Sequence, residues 1–295
     1  MLVIPDKYRG IVYILISTTC FSIVNLMVKF LRDFPAHELV FFRSVISLFA
    51  TAAMLRFKGL GLLGNNKPWL LVRGISGVLA LFLFFITIQQ MPLANAVAIQ
   101  YLSPTFTALF GIFLLKEQVS WLQWLFLSVA LSGAFVIKGF EGNTNWLMIL
   151  IGIISAAFAG IAYNAVRRLR NTEHPLQIVF YFPLIATPTM GIWCLFEWVT
   201  PIGSQWFLIF ILGIFTQIAQ YYMTLGLHAD KAAKVTPFKY FGALLAIVFG
   251  YSFFNEKLTW FNYLGISLIV FGVIFNTIFA STQQKNKVTT NAEPV

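Results

Sequence analysis

Ten apolar runs of about 20 residues, separated by short polar stretches, constrain this chain more than any other feature. A helix needs about 20 residues to cross the hydrocarbon of a bilayer, and a spanning segment must satisfy its own backbone hydrogen bonds. The runs occupy residues 10–31, 37–56, 69–89, 94–115, 119–138, 145–167, 175–197, 205–227, 232–254 and 259–280. The sequence therefore predicts an all-α polytopic membrane protein with ten transmembrane helices.

The charged residues are too few for a water-facing surface. They make up 10% of the 295 residues, against about 25% in soluble domains. The net charge of +10 fits basic cytoplasmic loops, and no basic stripe or nucleic-acid motif accompanies it. Neither the two cysteines nor the three histidines have the companions that a metal site needs. We expect no metal, no cofactor and no nucleic-acid partner.

The distribution of Lys and Arg predicts the orientation of the chain. With the N-terminus inside, 14 of the 20 basic residues fall on the cytoplasmic side, Arg73 among them, and four fall outside. Basic residues concentrate in cytoplasmic loops, so both termini are expected in the cytoplasm of a bacterial cell with the spans in its inner membrane. Residues 1–9 then form a cytoplasmic N-terminus, and the polar segment 281–295 is expected to be a disordered cytoplasmic tail.

The two halves of the chain align when it is shifted by 139 residues. The shift places Asn25 on Asn164, Lys29 on Arg168, Phe41 on Phe180, Tyr101 on Tyr240, Glu117 on Glu256, Trp121 on Trp260 and Gly133 on Gly272. The repeats are predicted at 10–138 and 145–280, with five spans each. An odd number of spans inverts the second repeat relative to the first, which is the architecture of many secondary transporters.

Several segments resemble the drug/metabolite transporter superfamily, EamA type. The resemblance lies in "AVAIQYLSPTFTALFGIFLLKEQVSWLQWLFLSVALSGAFVI", in "FKYFGALLAIVFGYSFFNEKLTWFNYLGISLIVFGVIF" and in "ELVFFRSVISLFA". "RGISGVLALFLFFITIQQMPLANAVAIQYLSP" is similar to the branch with organic-anion and S-adenosylmethionine carriers. The resemblance implies a central cavity lined by helices 1, 3, 4, 6, 8 and 9, with helices 5 and 10 at the periphery. It leaves the substrate open, because the superfamily carries many kinds of metabolite.

Proline positions differ between the repeats. Repeat 1 has Pro104 where repeat 2 has Ala243, and the proline of span nine is Pro237. Because proline removes a backbone donor and favours a kink, we expect the two halves to bend at different heights.

Two basic residues, Arg43 and Lys239, remain within the spans after the other 18 have been assigned to the two sides, and charge is costly there. Lys239 has Gln100 as its repeat counterpart, so the scaffold does not require the charge. One interpretation is a lysine that binds an anionic substrate group, and the other is a lysine that snorkels to the interface. Arg43 has Phe182 as its counterpart. Its guanidinium suits a carboxylate or phosphate, while bonds to carbonyls or lipid headgroups are the structural alternative.

Polar residues in the spans complete the candidate site. The paired residues Tyr101 and Tyr240 are candidates for lining the cavity or for packing between helices. In span eight, a helical spacing of i, i+3, i+4 and i+7 predicts one polar face. The predicted substrate-binding residues are Lys239, Tyr240, Gln100, Tyr101, Arg43, Gln217, Gln220, Tyr221, Asn25 and Asn164, and Thr224 shares the span-eight face. The two asparagines also suit a role as interhelical hydrogen-bond donors.

The acidic residues point away from proton coupling. Glu117 and Glu256 fall at predicted helix ends, where we expect a structural role, and no acid lies deep in a span. Proton-coupled antiporters usually use an intramembrane carboxylate, so exchange or facilitated diffusion is favoured.

The leading hypothesis is a carrier of a small anionic metabolite that works by alternating access. A carrier of a zwitterion, such as an amino acid or S-adenosylmethionine, is the alternative. A membrane enzyme is disfavoured, since the sequence has no cluster of His, Asp or Glu near an interface. The expected partners are a small-molecule substrate and the lipid bilayer, and the sequence leaves a monomer and a homodimer both open.

Overall fold

The computed structural model describes residues 6–115, 120–138, 145–229 and 236–290, which form helices and short connections with no strand among them. Eleven α-helices and one five-residue 3-10 helix, Thr236–Tyr240, are described. The α-helices are α1 Asp6–Phe30, α2 Ala36–Phe57, α3 Lys67–Gln90, α4 Leu93–Gln100, α5 Ser103–Leu115, α6 Trp121–Lys138, α7 Trp146–Leu169, α8 Pro175–Cys194, α9 Gln205–Ala229, α10 Phe241–Phe254 and α11 Trp260–Thr290.

The helices match the predicted spans. Eight helical stretches are long and apolar enough to cross a membrane, and one of these, Leu93–Leu115, joins α4 to α5. Two shorter apolar helices, Trp121–Ile137 and Phe238–Phe254, coincide with predicted spans five and nine. Large apolar side chains such as Phe49 and Trp260 are exposed on the outside of the bundle, as suits a lipid-facing surface. The prediction of an all-α polytopic membrane protein is confirmed.

Spans four and nine each contain a segment that is not α-helical, and the two segments overlap under the 139-residue shift. In span four, α4 ends at Gln100 and α5 starts at Ser103, next to Pro104, whose missing N–H is tolerated in a first helical turn. In span nine the 3-10 turn that contains Pro237 ends at Tyr240. The 139-residue shift places residue 101 on residue 240, so the two irregular segments overlap at one position. Pro104 follows the turn in span four, whereas Pro237 lies within the 3-10 helix of span nine. The expectation of bends at different heights stays a prediction.

Four long helix pairs build the bundle. Helix α1 packs along α9, α3 along α7, α2 along α8, and α6 along α11. The broken spans meet through contacts between α4 and α10. In terms of spans, the contacting pairs are 1 with 8, 3 with 6, 2 with 7, 5 with 10, and 4 with 9. Spans five and ten pack mainly on each other, at the periphery, as the resemblance implied.

Small residues bring α7 close to the first half. A Cβ added to Gly152 would lie 2.9 Å from Cγ2 of Ile99, and one added to Gly160 would lie 2.7 Å from Cβ of Phe106. Ala156, between these glycines, is fully buried. The four-residue spacing puts all three small residues on one helix face, which allows α4 and α5 to contact the backbone of α7.

The last helix is longer than predicted. Helix α11 continues to Thr290, whereas a disordered tail was expected from residue 281. The segment 281–290 contains no Gly or Pro, and without such a breaker the helix can continue past the polar boundary. Residues 291–295 of the predicted tail lie outside the described residues, as does Glu117.

Candidate functional site

A cavity of about 280 Å³ lies at the centre of the bundle. Its lining comes from α1 to α4, α7 to α9 and the 3-10 turn. In span numbers, spans two and seven (α2 and α8) join spans one, three, four, six, eight and nine, which the resemblance had implied. The polar and charged lining residues are Ser17, Thr18, Ser22, Asn25, Arg43, Ser47, Arg73, Gln100, Tyr101, Tyr163, Gln217, Gln220 and Lys239. Three of them are basic and none of the described lining residues is acidic. The described lining therefore combines three positive charges with neutral polar and apolar side chains.

The interrupted spans place Lys239 and Tyr101 in the cavity wall. The Tyr101 hydroxyl donates a hydrogen bond to the backbone carbonyl of Lys239, with an O–O distance of 2.8 Å. The ring of Tyr240 packs edge-on against that of Tyr101, with centroids 5.0 Å apart. A Cβ on Gly242 would collide with the Tyr101 hydroxyl, so this glycine makes room for the contact. Span four therefore fixes the backbone of the turn that carries Lys239.

Two arginines of the cavity lining contact one phenylalanine ring. The guanidinium carbon of Arg43 lies 5.4 Å from the centroid of Phe182 and 5.9 Å from that of Phe85. The guanidinium carbon of Arg73 lies 6.0 Å from the Phe182 centroid. Arg43 is only 5% exposed. Cation–π contacts of this kind are favourable but leave guanidinium N–H groups to be satisfied.

Amide groups line the remaining wall. The Ser155 hydroxyl donates to the backbone carbonyl of Ala80 at 2.7 Å and lies 2.9 Å from Oε1 of Gln100, so α7 positions this amide. In α9, Gln217 and Gln220 border the central cavity and a second cavity of about 380 Å³. The Oε1 atom of Gln217 has no hydrogen-bond partner among the described residues. These amides provide donors and acceptors that orient a polar ligand.

The second cavity leads towards one end of the bundle. Besides the two glutamines it is lined by Lys58, His174 and Pro175, at the end of α2 and the start of α8. His174 caps α8 by accepting the N–H of Leu176 at 3.2 Å. This is the end at which the sequence predicts the cytoplasm.

A buried ion pair lies at the other end. Nζ of Lys29 is 3.1 Å from Oε1 of Glu256 and 2.6 Å from the backbone carbonyl of Met91. Oε2 of Glu256 accepts the backbone N–H of Leu93 at 2.8 Å. The pair joins the end of α1, the connection between α3 and α4, and the segment after α10. Glu256 has the structural role expected of it, and its contacts tie both halves together at the predicted outer end.

Most of the predicted site residues meet in the central cavity, but three do not. Asn164 is fully buried and donates to the backbone carbonyls of Thr107 and Gly160, at 2.9 and 3.2 Å, so it joins α7 to α5. Tyr240 lies behind Tyr101 and is 6% exposed. Tyr221 borders only the second cavity, and the Thr224 side chain lies outside the description.

Arg73 is the main residue that sequence reasoning missed. It was counted among the cytoplasmic loop residues, whereas the structure places it in the second turn of α3 and in the cavity lining. Arg73 lies six residues after Lys67, inside an apolar run. That position could have indicated a side chain within the membrane. The serine and threonine hydroxyls of α1 were also missed. Asn25 and Ser22 lie three residues apart, with Thr18 four residues before Ser22, which is a helical face.

Among the described residues, no group of three or more His, Cys, Asp or Glu side chains is close enough to hold a metal ion. Cys20 and Cys194 are both free thiols, buried in α1 and α8.

Comparison with known proteins gives a family match over nearly the whole chain. The model of the EamA-like transporter family matches twice, at residues 8–139 and 146–278. The chain is 32% identical to the pseudopaline exporter of Pseudomonas aeruginosa over 254 residues, covering 84% of this chain and 88% of that protein. It is 25% identical to the riboflavin transporter of Rhizobium johnstonii, covering 90% of each. A solved crystal structure has a TM-score of 0.62 at 22% identity and covers 94% of this chain and 98% of its own, which indicates a shared fold.

Proposed function

The chain belongs to the EamA-like transporter family, whose members transport solutes and are not enzymes, and on that premise we propose that it carries a small anionic metabolite by alternating access. The observation that carries this proposal is the central cavity, in which Lys239, Arg43 and Arg73 line the wall and no described acidic side chain does. Buried charge in a membrane protein is costly and is usually paired or functional. An anionic substrate supplies the missing counter-charge.

Two inverted repeats provide the symmetry that alternating access needs. Exchanging the halves turns the pairing of span 1 with 8 into that of span 6 with 3, and returns the other three pairings unchanged. Single contacts follow the same rule. A Cβ on Gly74 would collide with Ile185, and one on Gly213 would collide with Ile46. The shift of 139 residues converts the first contact into the second, which supports a two-fold relation between the repeats.

The substrate cavity lies where equivalent residues meet. Arg43 contacts its own repeat counterpart Phe182 at 5.4 Å, and Tyr101 contacts its counterpart Tyr240 at 5.0 Å. Residues that touch their own equivalents lie near the axis that relates the halves. A site on such an axis can be reached from either side with similar contacts.

The conformation fits one half of the transport cycle. The Lys29–Glu256 pair closes the end predicted to face outwards, and the cavities continue towards Lys58 and His174 at the end predicted to face the cytoplasm. With both termini cytoplasmic and the spans in a bacterial inner membrane, this is an inward-open state. The outward-open state would break the pair and close the cytoplasmic end.

Recognition in the cavity combines one flexible cation with fixed donors. The Lys239 ammonium is a point charge at the end of a flexible stem, on a turn fixed by Tyr101. Gln100 and Gln217 add amide groups from two sides. Because the described lining contains no carboxylate, it favours an anion over a zwitterion and offers no acid for proton coupling. We propose substrate exchange as the mode of transport.

The experiment is anion uptake into proteoliposomes that contain the purified protein, with a panel of labelled carboxylates, phosphorylated metabolites and amino acids. The decisive variant is Lys239→Gln, because Gln is the residue at the equivalent position 100. We expect the variant to lose at least about tenfold in uptake efficiency, as for a lost charge-assisted hydrogen bond. Lys257→Gln removes the same charge from an exposed loop and should leave uptake unchanged. Equal uptake of the same anions by the Lys239→Gln variant would refute the role of this lysine.

A further inference from the structure

Arg43 is a buried cation that forms no ion pair with any residue that the structure describes. It is 5% exposed, its Nε has no hydrogen-bond partner among the described residues, and its guanidinium lies against the rings of Phe85 and Phe182. A ring quadrupole attracts a cation, but it does not saturate the five N–H donors of a guanidinium. The guanidinium N–H groups that remain without partners in the cavity wall can donate hydrogen bonds to an oxyanion.

Arg73 brings a second guanidinium to the same ring. Its guanidinium carbon lies 6.0 Å from the Phe182 centroid, and its Nε is also without a described partner. The two positive groups come from different helices, α2 and α3, and repel each other. An anion bound by both would offset this repulsion, because arginine forks match carboxylate and phosphate oxygens.

Gly77 shapes this arrangement. It lies one helical turn after Arg73, and a Cβ there would collide with Nη1 of Arg73 and would lie 3.1 Å from Cδ2 of Phe182. The absent side chain therefore leaves the space that the Arg73 guanidinium occupies beside the ring. Phe182 contacts the Arg73 guanidinium and Gly77 leaves room for it. The backbone of α3 and the side chain of α8 therefore determine where the guanidinium lies.

We propose that Arg43 and Arg73 form an oxyanion subsite on Phe182, separate from Lys239, and that the substrate is a small compound with two oxyanion groups. This inference rests on the proposed function. Arg43, Arg73 and Phe182 come from α2, α3 and α8, whereas Lys239 comes from the 3-10 turn beside Tyr101. One anionic group of the substrate binds the arginine pair and the other binds Lys239. Arg73 is then a specificity-determining residue that selects dianions over monoanions.

The binding test uses inorganic phosphate as a probe of the subsite alone. Thermal unfolding of the purified protein in detergent is followed against phosphate concentration, with chloride at matched ionic strength as reference. We expect phosphate to stabilise the wild type. Arg73→Gln should weaken its apparent affinity at least about tenfold. Arg73→Lys should be intermediate, because lysine keeps the charge without the fork. Gly77→Ala should weaken binding by displacing the guanidinium, although both arginines remain.

Matched controls separate the subsite from general effects. Arg56→Gln removes an exposed arginine from the same helix as Arg43. Gly191→Ala adds a helical Cβ next to the Phe41 ring, at 3.0 Å, outside the cavity. Neither should change phosphate affinity. If Arg73→Gln fails to fold, Arg73→Lys and Gly77→Ala decide the question. The inference is overturned if phosphate does not bind the wild type, or if it binds the folded Arg73 and Gly77 variants equally well.

Transport measurements separate this inference from the proposed function. Succinate and butyrate share a four-carbon chain and differ in the second carboxylate, so exchange of the two is compared in proteoliposomes. We expect the wild type to prefer succinate and Arg73→Gln to lose that preference. Phosphate binding through Arg73 without exchange of any anion would leave the subsite standing and refute the carrier. Anion exchange that Arg73→Gln leaves unchanged would refute the subsite and leave the carrier standing.

Discussion

Asn25 and Asn164 occupy equivalent repeat positions but have different surroundings. Asn25 lines the central cavity. Asn164 is fully buried and holds two backbone carbonyls, those of Thr107 and Gly160, with its amide nitrogen. The same residue type therefore serves the cavity in one half and helix packing in the other.

This difference predicts opposite phenotypes for the same substitution. Asn164→Leu should destabilise the protein by about 1–2 kcal/mol, lower its unfolding temperature and leave substrate affinity unchanged. Asn25→Leu should change the affinity or rate of exchange with a smaller effect on stability. Thermal unfolding and proteoliposome exchange, measured on both variants, check the assignment. An Asn164 variant that unfolds normally but loses substrate affinity would show that Asn164 contacts the ligand.

The sequence identified the polar residues of the spans well, but it did not reveal which of their side chains face the cavity. Lys239, Arg43 and Gln100 were selected because polar groups inside apolar spans need a partner, and all three line the cavity. Asn164 and Tyr240 were selected for the same reason, yet they face neighbouring helices. The rotation of a helix about its own axis depends on its packing partners, which one sequence does not reveal. Arg73 was missed because the position of a residue along a helix near its end is equally uncertain.

Glycines set the closest approach between the peripheral helices α6 and α11. A Cβ on Gly133 would lie 2.6 Å from the backbone carbonyl oxygen of Gly265. A Cβ on Gly272 would lie 2.7 Å from the backbone carbonyl oxygen of Phe126. The 139-residue shift relates Gly133 to Gly272 and Phe126 to Gly265, so the two contacts are equivalent.

Because the two contacts are equivalent, the same substitution at either glycine should lower the stability of the protein by a similar amount. Gly133→Ala and Gly272→Ala should each destabilise the protein by about 1–3 kcal/mol, because the added methyl group meets backbone atoms that cannot move freely. Gly191→Ala, which meets only the edge of the Phe41 ring, should cost less. Thermal unfolding of the three variants in detergent tests the prediction. Costs for Gly133→Ala and Gly272→Ala no greater than that of the control would contradict the close packing of α6 on α11.

The helices themselves were largely predictable. The lengths of the apolar runs predicted ten spans, because a backbone that faces lipid has few alternatives to a helix. The interruption of spans four and nine at Tyr101 and Tyr240 was not predictable from Pro104 and Pro237 alone. The contact between the rings of Tyr101 and Tyr240 joins the two halves, and neither segment alone reveals it.

For the whole molecule, the Lys29–Glu256 pair connects the two halves at one end. Both side chains are largely buried, and the pair also holds the carbonyl of Met91 and the N–H of Leu93. Removing one partner of a buried ion pair costs about 3–5 kcal/mol. In the proposed transport cycle the pair forms only when this end is closed, so the cost falls on the proposed inward-open state.

Glu256→Gln should therefore shift the population towards states that are open at the outer end. Val97 of α4 lines the cavity, so Val97→Cys, made in a protein without Cys20 and Cys194, reports access from outside. A membrane-impermeant thiol reagent added to intact cells should label this cysteine faster when Glu256→Gln is present. Glu197→Gln, which alters an exposed acid, should have no effect. Unchanged labelling in the Glu256→Gln variant would mean that the pair does not hold this end closed.

The most direct measurement is trans-stimulation of anion uptake in proteoliposomes. Labelled succinate is supplied outside vesicles that are either empty or preloaded with unlabelled succinate, at equal pH on both sides. An exchanger with a cationic central site should take up label many times faster into preloaded vesicles, because the loaded cavity returns across the membrane with a substrate bound. Equal uptake into both kinds of vesicle, or uptake only under an imposed pH gradient, would contradict an anion exchanger that works by alternating access around Lys239.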